Sequence, residues 1–139
     1  MTGRRLLATL AWAALGLGQN ACGDDDGGTQ ADRYGVGAEC AQDDDCFQSD
    51  QEGEISQSCL RQFKGGYCGV ESCTSDDDCP EGSACVRHED QRNYCFRICI
   101  DKPECNRNRS LENESNCSSN IDLTSSSKGS KACVPPSSG

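Results

Sequence analysis

The stretch from Cys73 to Cys99, CTSDDDCPEGSACVRHEDQRNYCFRIC, decides how the rest of the chain is read. Its cysteines fall at short intervals around a run of three aspartates, with little that is apolar between them. Sulfur bridges rather than an oily interior must hold such a segment together. A looser copy precedes it: Cys40-Ala-Gln-Asp-Asp-Asp-Cys46 matches Cys73-Thr-Ser-Asp-Asp-Asp-Cys79, Cys59-Leu60-Arg61 matches Cys85-Val86-Arg87, and Tyr67-Cys68 matches Tyr94-Cys95. Agreement at cysteine, acid, arginine and tyrosine positions marks a duplication. Cys99, Cys105, Cys117 and Cys133 open with the same five-residue gap and read as a degenerate third copy. Four cysteines per copy allow three internal pairings, of which first-to-third with second-to-fourth is preferred.

Composition points the same way. From Cys22 onward, Leu, Ile, Val and Phe make up 14 of 118 residues, below the roughly 20% under which charged chains tend not to build a core. Thirteen cysteines in 139 residues is the density of a disulfide scaffold, and such bonds persist only in an oxidising compartment. The formal net charge is −10. A nucleic-acid partner is therefore not expected, because phosphate contacts need a basic face. The expected fold is small and disulfide-rich, made of tandem short β-hairpin modules with little helix and no large hydrophobic core. Repeats are expected over residues 39–70, 71–98 and 99–134, with a tail over 135–139.

Upstream, Arg4 and Arg5 precede the apolar run Leu6–Leu17, which is shorter than the about 20 residues of a membrane span and reads as the core of an export signal over residues 1–21. A chain that needs disulfides cannot fold before export, which favours threading of the unfolded chain over the twin-arginine route. The signal ends in Gln19-Asn20-Ala21-Cys22. A small residue before cysteine at this place resembles the lipobox of bacterial lipoproteins, although Gln19 and Asn20 stand where that family has leucine and a small residue. The resemblance implies cleavage before Cys22, acylation of its thiol and anchoring to a membrane, with outer-membrane sorting favoured by Gly23. Parity agrees, since the other twelve cysteines form an even set and Cys22 stands apart from them. Residues 22–38, rich in Gly and Asp, are expected to be a flexible acidic tether.

The pattern within Cys73–Cys99 is also similar to the cysteine-rich modules of Dickkopf-type and EB-type extracellular proteins and to short acidic repeats of bacterial lipoproteins. That resemblance implies small extracellular modules and transfers no binding residue.

Local signals fill in the unit. Ser75 followed by Asp78 suits the cap of one helical turn. Ala84–Arg87 with Asn93–Arg97, and Leu60–Phe63 with Tyr67–Val70, read as hairpins carrying a cysteine on each arm. Ile121–Thr124 with Lys131–Val134 reads as a third hairpin, and 106–120 reads as loop.

Chemistry beyond disulfides is sparse. Only Cys95-x3-Cys99 has a zinc-like spacing, so no metal or other cofactor is expected. The runs Asp43–Asp45 and Asp76–Asp78 raise calcium as an alternative, against the simpler reading of capped acidic turns. His88 is the only histidine; lying between Arg87 and Glu89, it reads as solvated rather than as a general base. Three glycosylation sequons, at Asn108, Asn113 and Asn116, would matter only in a eukaryotic host. The expected role is that of a non-enzymatic, lipid-anchored structural or binding module, monomeric and with an unknown protein partner. A protease-inhibitor-like domain acting through Arg87, Arg92 or the insertion between Cys46 and Cys59 is the alternative.

Overall fold

The computed structural model describes residues 28–125 and 130–139. The export signal, Cys22 and the first part of the expected tether lie outside the described residues.

Each copy is built the same way. A short turn follows the first cysteine: 3-10 turns at Asp43–Asp45 and Asp76–Asp78, and helix α2 (Lys102–Cys105) in the third copy. The acids make these turns. The Asp45 carboxylate accepts from the Ala41 and Gln42 amides at 2.8 and 3.1 Å, and Asp78 accepts from the Thr74 and Ser75 amides at 2.7 and 3.2 Å. Glu104 takes the same place in the third copy, accepting from the Ile100 amide at 2.8 Å. The first aspartate of each run points the other way. Asp43 accepts from the Cys59 amide and Asp76 from the Cys85 amide, both at 2.8 Å, and so ties the turn to the next strand.

The strands then place the third and fourth cysteines opposite each other. Cys59 faces Cys68 across β1 (Ser58–Cys59) and β2 (Cys68–Gly69), Cys85 faces Cys95 across β3 (Ser83–Arg87) and β4 (Asn93–Cys99), and Cys117 faces Cys133 across β5 (Asn116–Ser118) and β7 (Lys131–Val134). The facing cysteines are not bonded to each other. Each reaches back to the turn, giving Cys40–Cys59, Cys46–Cys68, Cys73–Cys85, Cys79–Cys95, Cys99–Cys117 and Cys105–Cys133. All three copies thus use first-to-third and second-to-fourth pairing. Each bridge closes a loop of 12 to 28 residues, a constraint on the unfolded chain of about 3 kcal/mol apiece in the chain-entropy model.

The copies are not separate beads. A five-stranded antiparallel sheet runs in the order β5-β7-β4-β3-β6, with β6 at Asp122–Leu123, so repeats two and three share one sheet. The third hairpin expected from Ile121–Thr124 and Lys131–Val134 does not form. β6 pairs with β3 instead, and β7 lies between β4 and β5. The segment read as loop over 106–120 supplies β5, the partner of β7, because Cys117 must sit beside Cys133 for both bridges of the copy to close.

The sequence of β4, Tyr94-Cys95-Phe96-Arg97-Ile98-Cys99, alternates between two faces as a strand must. Cys95 and Cys99 serve disulfides on one face. Tyr94 and Phe96 on the other join Ala84, Val86, Leu60, Phe63, Tyr67, Ala31, Val36 and Ala132 in a small buried core. Phe63 is its hub, meeting Tyr67, Tyr94 and Phe96 edge-on with ring centroids 5.1–6.1 Å apart. Repeat one thus donates its aromatic rings to the sheet of repeat two.

Two segments outside the expected repeats are packed on this core. Within the expected tether, helix α1 (Gln30–Arg33) is started by a capping box between Thr29 and Asp32. Ala31 and Val36 are buried, the Ala31 amide donates to the Glu81 carbonyl at 2.8 Å and the Gly37 amide to the Cys68 carbonyl at 2.8 Å. Asp32 also pairs with the buried Arg97 guanidinium. The arm therefore bridges repeats one and two, and a flexible tether does not extend to residue 38. The tail over 135–139 is likewise fixed. Pro135 is buried, the Lys64 amide donates to the Pro136 carbonyl at 2.8 Å, and the Ser138 amide donates to Gln62 at 2.9 Å.

Arg109 of the third copy closes the structure. Its guanidinium donates to the carbonyls of Gly37, Gly66, Lys64 and Asn113 at 2.7–2.9 Å and lies over the Tyr67 ring. Gly66 itself is held against the first bridge of its copy: its φ is +70°, and a Cβ there would stand 2.2 Å from the Cys40 carbonyl oxygen.

The capping acids set a pH dependence. Hydrogen bonds from the Thr74 amide, the Thr74 hydroxyl and the Ser75 amide hold the Asp78 carboxyl below its ordinary value of 3.8. At Asp32 burial pushes upward, but the Thr29 hydrogen bonds and the charges of Arg97 and Arg107 outweigh it. Carboxyls with lowered folded values stabilise the fold above their ordinary values and release that stability as pH falls through the lowered ones. With disulfides intact, the melting temperature should be flat near neutrality and drop on going from pH 5 to about pH 2. An unchanged melting temperature across that window would contradict the role given to these caps.

Candidate ligand groove

The disulfide frame presents three surfaces on which function could rest: the acidic turns, the exposed loops, and a groove beside the β3–β4 hairpin. The acidic turns are spent on structure. In each run the first and third aspartates accept backbone amides, leaving exposed Asp44 and Asp77 as the middle members. This favours the turn-capping reading over a calcium site, which gathers several carboxylates on one ion. Sulfur atoms of Cys40, Cys46 and Cys59, of Cys73, Cys79 and Cys95, and of Cys99, Cys105 and Cys133 cluster within 4.8 Å of one another in each copy. These clusters are pairs of adjacent disulfides, so no thiolate is left to ligate a metal.

The arginines named for protease inhibition sit in a closed turn. The His88 amide donates to the Arg92 carbonyl at 2.8 Å and the Gln91 amide to His88 at 2.9 Å, with Gln91 at φ +67°. Arg87 donates to Gln91 at 2.9 Å, and Arg92 pairs with Glu71. A protease cleft takes an extended segment, and this one is folded back. The first-copy insertion is also closed on itself: Phe47 stacks on Tyr34 at 3.8 Å, and Ser49 and Tyr34 both donate to Glu54. Its exposed tip, 50–53, carries Asp50 and Glu52 and no basic residue.

His88 is where sequence reading and structure part. It is not solvated: its side chain is 8% exposed and packs edge-on against Phe63, Tyr94 and Phe96 at 5.2–6.0 Å. Strand alternation carried the signal, since His88 stands two residues beyond Val86 and four beyond Ala84, on the core face. Its Nδ1 has no hydrogen-bond partner and lies 3.5 Å from an Asp90 carboxylate oxygen. At Asp90 burial pushes the carboxyl up, yet hydrogen bonds from the Tyr94 hydroxyl at 2.6 Å and the Arg92 amide at 3.0 Å, with His88 beside it, hold it below the usual range. Burial and Asp90 together push the Tyr94 phenol up.

The groove opens beside this histidine. β6 pairs with the turn end of the hairpin at Val86 and Arg87, β7 with its far end at Ile98 and Cys99, and no pairing joins β6 to β7 among the described residues. The cavity over the hairpin, lined from both of these strands, is about 680 Å³, within the range of small-molecule sites. Val86, His88, Phe96, Ile121 and Val134 line it, with Glu89, Asp122 and Arg87 among its polar residues.

Three interleaved copies of a two-bridge frame, carried on two antiparallel sheets and very short helices, define a small disulfide-rich module of the exported, extracellular kind. No family model, curated protein or solved structure matches the chain. Among the described residues no helix is long and apolar enough to cross a membrane.

Proposed function

We propose that the chain is an exported, non-enzymatic binding or structural module, a monomer anchored by acyl chains on Cys22 to a membrane of the cell envelope, with the outer membrane favoured and the module facing the periplasm or the exterior. The observation that carries this reading is the disulfide frame itself. It makes a rigid body that survives outside the cytosol and consumes all twelve cysteines from Cys40 to Cys133, which leaves Cys22 as the odd thiol available for acylation. Several acyl chains on one residue give firm attachment where a single chain is marginal. The covalent frame holds the β3–β4 turn, the insertion loop and the groove at fixed separations, and a binding surface gains affinity when it is preorganised.

Intact-mass spectrometry of the membrane-extracted protein tests both parts. The expected mass begins at Cys22, includes added acyl mass, and is two hydrogens lighter for each of six bridges. A species that keeps residues 1–21, or one that begins at Cys22 without acyl mass, would refute the anchor. Thiols among the twelve that alkylate without reductant would refute the frame.

A further inference from the structure

The groove beside His88 is the feature the anchoring and frame do not explain. Its floor is apolar: Val86, Phe96, Ile121 and Val134. Set in that floor is one ionisable side chain, His88, more than nine-tenths buried, whose Nδ1 makes no hydrogen bond and stands 3.5 Å from an Asp90 carboxylate oxygen. An imidazole buried in an apolar floor with carboxylates around it calls for an explanation in function. The surrounding charge has a sign. Glu89 and Asp122 are on the groove, Asp90 stands behind the histidine, and the one cation among the described lining residues, Arg87, is engaged with Gln91. The whole chain adds to this field with its net charge of −10.

We propose that this groove binds a small organic cation: an apolar ring or branched chain carrying one ammonium group. The apolar body would replace water over Ile121, Val134 and Phe96. The ammonium, a donor with no acceptor capacity, would lie towards His88 and the Glu89 and Asp122 carboxylates. A carboxylate-bearing ligand of the same shape would meet three acids instead. The source of the ammonium is open to two cases of one chemistry, a free amine or the amino terminus of a peptide that begins with an apolar residue.

Titration of the mature, disulfide-bonded protein followed by NMR tests this. The chain has one histidine, so the His88 imidazole protons give a single reporter, and the methyl groups of Ile121 and Val134 give two more. With 2-phenylethylamine, all three should shift together and saturate. With 3-phenylpropionate, binding should be at least about two- to five-fold weaker, the effect of one exposed charge pair. The double variant E89Q/D122N, altered only at exposed side chains, should remove that preference while the protein keeps its dispersed spectrum. A phenylalanine-first tripeptide amide matching 2-phenylethylamine would identify the peptide source, and a much weaker response would identify the free amine. Absence of a saturable shift at these reporters with any probe, or an equal response to amine and acid, overturns the proposal. Neither result bears on export or acylation.

Discussion

Replacing Cys79 and Cys95 together by alanine is expected to lower the unfolding free energy by about 2–5 kcal/mol, as loss of a native bridge does in small exported domains. The bridge closes a loop of 16 residues, for which the chain-entropy model gives about 3 kcal/mol. Its position adds to that. Cys95 lies on β4, the strand flanked by β3 and β7 at the centre of the five-stranded sheet, and Cys79 ends the acidic turn. Without the bond the turn is held to the sheet by Cys73–Cys85 and by the Asp76 contact with the Cys85 amide. Changing both cysteines avoids leaving a lone buried thiol. Urea denaturation of the variant and the parent, both with the other bridges intact, measures the difference. A loss below about 1 kcal/mol, the size of an ordinary point substitution, would show that the aromatic core and not the sulfur frame carries the fold.

How much of this could be read from the chain follows from what each signal depends on. The repeat, its acidic turn and the strand bearing each later cysteine are local, fixed within a few residues by spacing and capping chemistry. Ser75 and Asp78 therefore show in the sequence what they do in the structure. The core did not show, because a tally of Leu, Ile, Val and Phe omits half of it: Ala31, Ala84 and Ala132 fit between strands, and Tyr67 and Tyr94 bury their rings while their hydroxyls find partners at Arg97 and Asp90. The packing of residues 28–38 was hidden for another reason. Thr29 and Asp32 form a visible capping box only once Ala31 has a place to go, and that place is made by Glu81 and the sheet some fifty residues away. The third hairpin failed on the same ground. Ile121–Thr124 has the alternation of a strand, but which strand it joins is set by Cys117 taking the place beside Cys133. His88 fell between the two cases: its flanking charges suggested water, while its register with Val86 and Ala84 placed it on the buried face.

The second large effect separates the core from the bridges. Phe63→Ala should lower the unfolding free energy by about 3–5 kcal/mol, the range for truncating a buried aromatic ring. Phe63 is 2% exposed and touches four rings: Tyr67, His88, Tyr94 and Phe96. Well-oriented aromatic pairs contribute about 0.5–1.5 kcal/mol each beyond buried area, so losing the hub removes several at once. Collapse around the hole is hard, since bridges pin the strands on both sides and the tail is bonded to Gln62 and Lys64. The substitution acts on the folded state, whereas the Cys79–Cys95 pair acts chiefly on the unfolded one, so the two losses should add when combined. The contact also joins repeat one to the sheet of repeat two. Amide hydrogen exchange should therefore accelerate on both sides of it in Phe63→Ala, at β1–β2 as well as β3–β4. Acceleration confined to repeat one, with β3–β4 unchanged, would mean that the modules fold independently and that the shared core contributes little to either.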